Sequence, residues 1–211
     1  PILRNMSCNN THILFNHDPI LDRREEVSQQ ITIRKGECLK YLFYPSKNGK
    51  YIRNFIVEEG AIFRGSAIAL GSDMTVEMSV FLEWSDSEAS LQLLGLAKSD
   101  ASITLDGVGK ASSWCQNIRI RVDQTNILLW ENARVKWRPV LEVATDSIEG
   151  GHSCRIHRIS GDALFYLESH GLDRTTAEGM LLEAEIYRHI VLMGENLESL
   201  KQEILQKISQ K

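Results

Sequence analysis

The sequence predicts a mainly β body that hands over to a short helical C-terminus, and three observations carry that expectation. From about residue 29 to 159, apolar and polar residues alternate in short runs broken by Gly, Asp, Asn and Ser. No stretch of helical period interrupts them before residue 160. Several runs also open alike, with a polar corner, a small residue and then alternation: Glu88-Ala-Ser-Leu-Gln-Leu, Asp100-Ala-Ser-Ile-Thr-Leu and Asn132-Ala-Arg-Val-Lys-Trp. Stacked coils of a solenoid produce this pattern, because the small residue fits the tight corner and each coil buries its strands on its neighbours. A β-helix is therefore favoured. The repeat is imperfect in length and sequence, which leaves a sandwich or jelly roll open.

The expected strands are 31–33, 51–57, 61–70, 75–82, 90–96, 102–105, 117–122 and 134–143, followed by a β-like stretch that runs to Ser160. Three short helices come next. Ser160 is a good N-cap, Asp162 meets the positive end of the helix dipole, and Leu164 and Leu167 mark an apolar face. Gly171 supplies a left-handed residue after the helix, with Leu172 placed for the accompanying contact. Thr175-Thr-Ala-Glu178 reads as a capping box for the second helix, whose Ala177, Leu181, Ala184 and Val191 recur at helical spacing beside Met180. Gly194 ends that pattern, and Leu197, Leu200, Ile204 and Ile208 form the stripe of a third helix. These helices either cap the β body or offer a docking surface to another protein. The expected organisation is an N-terminal extension over 1–28, a β core over 29–159 and a helical subdomain over 160–211.

The chain has 211 residues, 43% of them hydrophobic, enough for one substantial core and an appendage. A net charge of −4 argues against nucleic acid or an anionic membrane surface as the main partner. No apolar run is long enough to span a bilayer, and no signal peptide is visible. Cys8, Cys38, Cys115 and Cys154 follow no disulfide-rich pattern, so a reducing cytoplasmic setting is expected.

Enzyme signatures are absent: no P-loop, no nucleophile elbow, no HExxH. His12 and His17 are badly spaced for a metal pair. A carbohydrate-active β-helix enzyme would need clustered carboxylates, but Asp73, Asp86, Asp100, Asp106 and Asp123 mostly read as turn residues at strand ends. The soft-metal ligands collect at the junction of body and tail. If 151–158 is a strand, His152 and Cys154 share a face, because side chains alternate; His157 has the opposite parity. Imidazole and thiolate both bind iron. Two ligands cannot complete a metal site alone, so a second subunit would have to supply the rest. Cys154 as a small buried residue is the competing reading, and Cys115 reads as core. Glu142 reads as a solvated strand residue before a site carboxylate.

Arg138-Pro-Val-Leu-Glu-Val143, Gly151-His152-Ser153, Arg158-Ile159-Ser160, Ala163-Leu-Phe-Tyr-Leu167, Ser169-His-Gly-Leu172 and the helix from Thr175 follow one another in this order along the chain. With these motifs, residues 139–187 resemble the C-terminal end of the SufB/SufD family, the scaffold subunits of the SUF iron–sulfur cluster assembly machinery. Upstream, Thr125-Asn-Ile-Leu-Leu129 and Asn132-Ala133 are similar to a preceding coil. The resemblance implies a right-handed parallel β-helix and C-terminal helices that bind a SufC-like ABC ATPase, with Phe165, Tyr166, Leu167 and Leu181 as contact residues. It further implies a non-catalytic scaffold that shares a transient iron–sulfur cluster with a second SufB/SufD-type subunit, in a homodimer or heterodimer. His152 matches the motif histidine that the family places at the cluster site. The chain departs from the SufB type: Ala133 stands where a functional cysteine is expected, and Gly151 and Ser153 replace flanking glutamates. It resembles the SufD type, shortened.

Overall fold

A computed structural model describes residues 20–71, 73–98, 102–191 and 197–209. Cys8, His12, His17, Asp100 and Gly194 lie outside these residues. The strands are β1 (Ile20–Asp22), β2 (Ser28–Ile33), β3 (Cys38–Phe43), β4 (Lys50–Val57), β5 (Ile62–Gly71), β6 (Met74–Leu82), β7 (Glu88–Ala97), β8 (Ser102–Ala111), β9 (Ile118–Leu128), β10 (Arg134–Val143) and β11 (Ile148–His157). Successive strands go to opposite sheets, in the orders β1-β3-β5-β7-β9-β11 and β10-β8-β6-β4-β2, and neighbours are parallel. The result is a solenoid of about four turns with a lumen between two sheets. The expected β-helix is the fold, and the sandwich and jelly roll are set aside, since both would need antiparallel pairs.

Strict alternation makes the lumen. On β4, Tyr51, Arg53, Phe55 and Val57 are buried between partly covered Ile52, Asn54 and Ile56. Phe55 stacks on Phe63 with centroids 4.2 Å apart and meets the edge of Tyr41 at 4.9 Å. Each such aromatic contributes several kcal/mol, and Phe55→Ala would cost about 3–5 kcal/mol.

The corners stack as well. Gly36, Gly60, Asp86 and Asn117 occupy equivalent places in successive coils, all left-handed, at φ 72, 65, 58 and 52°. Their backbone N–H groups reach the next coil: Gly36 donates to Glu59 O, Gly60 to Ser85 O and Asp86 to Gln116 O, while Asn117 donates to Ser147 Oγ. Gly, Asp and Asn are the residues that tolerate this conformation. Asp73 (φ 54°) is likewise a turn residue. Asp106 and Asp123 are not: they lie within β8 and β9, paired with Arg138 at 3.5 Å and Arg121 at 2.6 Å. The alternating register, not a turn, put them on outer faces.

At the N-terminal end a buried charge fills the lumen. Arg53 is fully buried over the Phe43 ring (4.2 Å) and donates to Asp22, to Tyr41 Oη and to the carbonyls of Arg24, Glu26 and Ile52. Tyr41 also donates to Asp22. Burial pushes the Asp22 carboxyl up, but hydrogen bonds from Arg24 and Tyr41 and the Arg53 charge outweigh it and hold it at about 2.

The tail folds as α1 (Gly161–Ser169), α2 (Arg174–Val191) and α3 (Glu198–Ser209). The Ser160 cap forms, with its Oγ accepting from Ala163 N. Gly171 takes φ 90°, its N–H donating to Glu168 O while Leu172 N–H donates to Leu167 O, the pair of hydrogen bonds that closes a helix with a left-handed residue. The expected capping box is displaced. Asp173 caps α2, accepting from Thr176 N and Thr176 Oγ1, because a carboxylate two residues earlier outcompetes the threonine. The face of α2 is corrected too: Ala177, Leu182, Ile186, His189 and Ile190 are buried, whereas Leu181 is half-buried and Ala184 and Val191 are exposed. The α3 stripe of Leu200, Ile204 and Ile208, with Leu197, is buried as expected. Both helices pack onto the outer face of one sheet, against Leu42, Tyr44, Ile68, Leu94, Leu96 and Ile127.

His189 is buried beneath α2, where burial first, then the charges of Arg188 on its own helix and Arg155 on β11, push it down to about 4; Asp123 on β9 opposes weakly. The unfolded chain therefore binds a proton that the folded chain refuses between pH 6.5 and 4. Stability from neutral His189 is complete above about pH 6.5 and is lost as the pH falls through that window. Urea unfolding at pH 7.5 and pH 5 should show this group removing about 2 kcal/mol, and His189→Leu should flatten the difference by that amount.

Candidate functional site

The site lies where the solenoid ends. Among the described residues β10 and β11 are the last strands of their sheets, each with one neighbour. Pro139 sits on β10, where an edge strand tolerates a missing N–H. Residues whose counterparts in earlier coils are buried lie open here. Trp137 is 46% exposed, Val143 40% and Ile156 37%. Among the described residues nothing covers the lumen at this end.

His152 and Cys154 occupy that opening. On β11, Ile148 packs against the core and a Cβ on Gly150 would meet Leu141 and Ile120, so this parity faces the lumen; His152, Cys154 and Ile156 continue it. They stand beside Val122, Gln124 and Asn126 of β9. Both His152 and Cys154 are exposed residues. The structure thus brings the two predicted ligands to one face and makes Cys154 no core residue. Its sulfur lies 3.8 Å from Asn126 Nδ2. Burial of the sulfur against the lumen pushes the thiol up, and the hydrogen bond from Asn126 pulls the other way. Sequence reasoning missed Gln124 and Asn126. Both are buried, polar and inside the lumen, but the polar run Asp123-Gln-Thr-Asn126 breaks the apolar alternation of β9, and only the pairing with β11 marks these positions as strand.

Other candidates fall away from this opening. Glu142 faces outward and pairs with Lys110 at 2.7 Å. Cys115 is buried as expected, but in a corner, not a strand, with its thiol donating to Leu82 O at 3.4 Å. Cys38, Cys115 and Cys154 form no disulfide. His157 is on the outer face with Nδ1 buried. Among the described residues no three His, Cys, Asp or Glu side chains gather as a metal site. Two donors at an open end need a third and fourth from elsewhere.

The tail is tied to this end. Arg158 follows β11 and donates to the carbonyls of Trp130 and Glu131 in the coil before, at 2.7 and 3.0 Å, which fixes where α1 starts. Leu164 turns into the protein, Leu167 is half-buried, and Phe165 and Tyr166 point out, 73% and 62% exposed. Tyr166 rests on His170 with centroids 4.4 Å apart. Among the described residues no helix is long and apolar enough to cross a membrane.

Residues 50–185 match the family model described as SUF system FeS cluster assembly, SufBD core domain. The chain belongs to the SufB/SufD family. Among curated proteins it is similar to the iron–sulfur cluster assembly protein SufD of Escherichia coli, 31% identical over 93 residues, 43% of this chain and 21% of that protein. SufD of Bacillus subtilis is 27% identical over 96 residues, 46% of this chain and 22% of the relative. A SufBD family protein of Synechocystis is 32% identical over 59 residues, 28% of this chain and 13% of its own. The aligned part spans about a fifth of the length of the two SufD relatives. The family match takes in β4 to β11 and both α1 and most of α2, so the opening and the exposed aromatics lie within it.

Because His152 and Cys154 stand at an open end, they are replaceable without cost to the core. His152→Ala and Cys154→Ser should each leave stability within about 0.5 kcal/mol of wild type by chemical denaturation.

Proposed function

We propose that this chain is a non-catalytic scaffold subunit of a SUF-type iron–sulfur cluster assembly complex, in which the cluster is built across its open terminal coil. The observation that carries the reading is the uncovered lumen, with His152 and Cys154 at its mouth, in a chain of the SufB/SufD family. A second SufB/SufD-type subunit, a copy or a relative, docks on β10 and β11 and covers Trp137, Val143 and Ile156. Such a contact removes two strand edges and an apolar patch from water at once. The cluster is cargo. His152 offers imidazole nitrogen, Cys154 offers sulfur, and the partner supplies the remaining ligands.

The tail supplies the second contact. α2 and α3 spend their apolar stripes on the solenoid, so α1 is left to meet another protein. Phe165 and Tyr166 are two adjacent aromatics on a capped helix, with Leu167 and Leu181 half-buried nearby in the tail. Aromatics of this kind anchor interfaces. We assign them to a SufC-like ABC ATPase. His157 ends β11 and Gly161 begins α1, so a pull on α1 reaches the strand that carries His152. Closure of an ATPase pair would move the tails and open the assembly site.

Two experiments test this. In an anaerobically reconstituted complex, His152→Ala should abolish or strongly reduce the iron–sulfur absorbance that wild type acquires, and Cys154→Ser should lower it. Assembly by His152→Ala at the wild-type rate sinks the site. For the tail, Phe165→Asp with Tyr166→Asp should weaken ATPase binding by at least about 2 kcal/mol, roughly thirtyfold in Kd, with unchanged circular dichroism. Unaltered affinity would remove α1 from the interface.

A further inference from the structure

Two amides lie buried in the lumen, at the end away from the Asp22–Arg53 cluster. Gln124 is 1% exposed and Asn126 0%, following Ile118, Ile120 and Val122 on the same face of β9. An amide in such a place raises the free energy of folding unless it is hydrogen-bonded. The bonds present run in one direction. Gln124 Nε2 donates to Leu105 O of β8 at 3.1 Å and approaches Asn126 Oδ1 at 3.5 Å, and Asn126 Nδ2 points to Cys154 Sγ at 3.8 Å. The Leu105 carbonyl can only accept, so it sets the way Gln124 faces; Gln124 in turn sets Asn126, and the free N–H of Asn126 is left for the sulfur.

Two further features show that the space is built for these amides. β7 has Gly95 opposite Asn126, and a Cβ there would lie 2.5 Å from Asn126 Oδ1. Gln124 Oε1 is buried with no hydrogen-bond partner, directly across from Cys154 in the strand register. A network whose only role was to satisfy itself would not leave that acceptor empty. The chain of amides begins at a backbone carbonyl inside the solenoid and ends at the sulfur in its mouth.

We propose that Asn126, oriented by Gln124 and accommodated by Gly95, is a positioning residue that holds the Cys154 sulfur at the mouth of the lumen through an N–H···S hydrogen bond, and so makes that sulfur a donor to the iron–sulfur cargo. The proposal rests on the function proposed above and deepens it. A donor aimed at a thiolate stabilises its charge and fixes its rotamer, and hydrogen bonds to cluster sulfurs are among the main determinants of reduction potential. Cys38, at the start of β3, lies far along the solenoid and serves as the internal control.

Asn126→Val removes the amide in favour of a strand-forming apolar residue that the lumen accepts, and Gly95→Ala displaces Asn126 without altering it. Iodoacetamide labelling of the purified chain at pH 7.5, read peptide by peptide, should show Cys154 slowed roughly three- to tenfold in Asn126→Val. Gly95→Ala should shift it in the same direction, and Cys38 should react at its wild-type rate in both. In the reconstituted complex, Asn126→Val should carry a cluster with a lower reduction potential and an altered sulfur-to-iron charge-transfer spectrum. Unchanged Cys154 labelling in either variant that folds, judged by its urea midpoint, overturns the hydrogen bond. A wild-type spectrum and potential in Cys154→Ser overturns the sulfur as donor. The labelling needs no cluster, so failure of the assembly role itself shows separately, as wild-type assembly by His152→Ala.

Discussion

Each coil of this protein exists because the coil before it offers a ladder of parallel backbone hydrogen bonds and a lumen to fill. A strand two positions on in sequence satisfies the groups left open by its predecessor, from Cys38 beside Ile62 to Arg119 beside Glu149. That arrangement has no natural stop. At the N-terminal end of the described coils, Asp22, Tyr41 and Arg53 fill the lumen with a bonded charge cluster, and breaking such a buried pair costs about 3–5 kcal/mol. Among the described residues the other end has no such plug. β10 and β11 present open edges and the inner face of the last coil, with Trp137 and Ile156 in water.

The helices then divide the molecule's surfaces. α2 and α3 seal one outer sheet face through a second apolar cluster, and Lys201 is held between Glu183 and Glu198 at 2.7 and 2.8 Å to join the two helices. α1 is left beside the open end, tethered through Arg158, with its aromatics outward. Arg158 therefore joins the opening and the aromatic helix, as the proposed scaffold role needs.

Much of this was legible in the sequence. Alternation and corner residues indicated the solenoid, and Ser160, Gly171 and the α3 stripe were read as they stand. β3 escaped because Tyr41 and Phe43 fill the lumen while Leu42 and Tyr44 lie under the helices; a strand buried on both faces loses its alternation. β1 is three residues long and carries no period at all. The face of α2 was misread because Leu181 and Leu182 are equivalent by composition, and only the sheet beneath chooses between them. At the candidate site, the shared face of His152 and Cys154 was legible from parity. Gln124 and Asn126 were not, since polar residues after Val122 look like the end of a strand unless the register of the next coil is known.

The central claim is that another scaffold chain finishes the terminal coil. Amide hydrogen exchange along β10 and β11 tests it most directly, measured in the chain alone at rising concentration and then with an equimolar SufB-type subunit. The account predicts rapid exchange of the open-side amides in the isolated chain. It predicts strong protection of the same amides in the dimer or complex, with β4 and β6 unchanged. A stable complex that leaves β10 and β11 exchanging as in the isolated chain would contradict it.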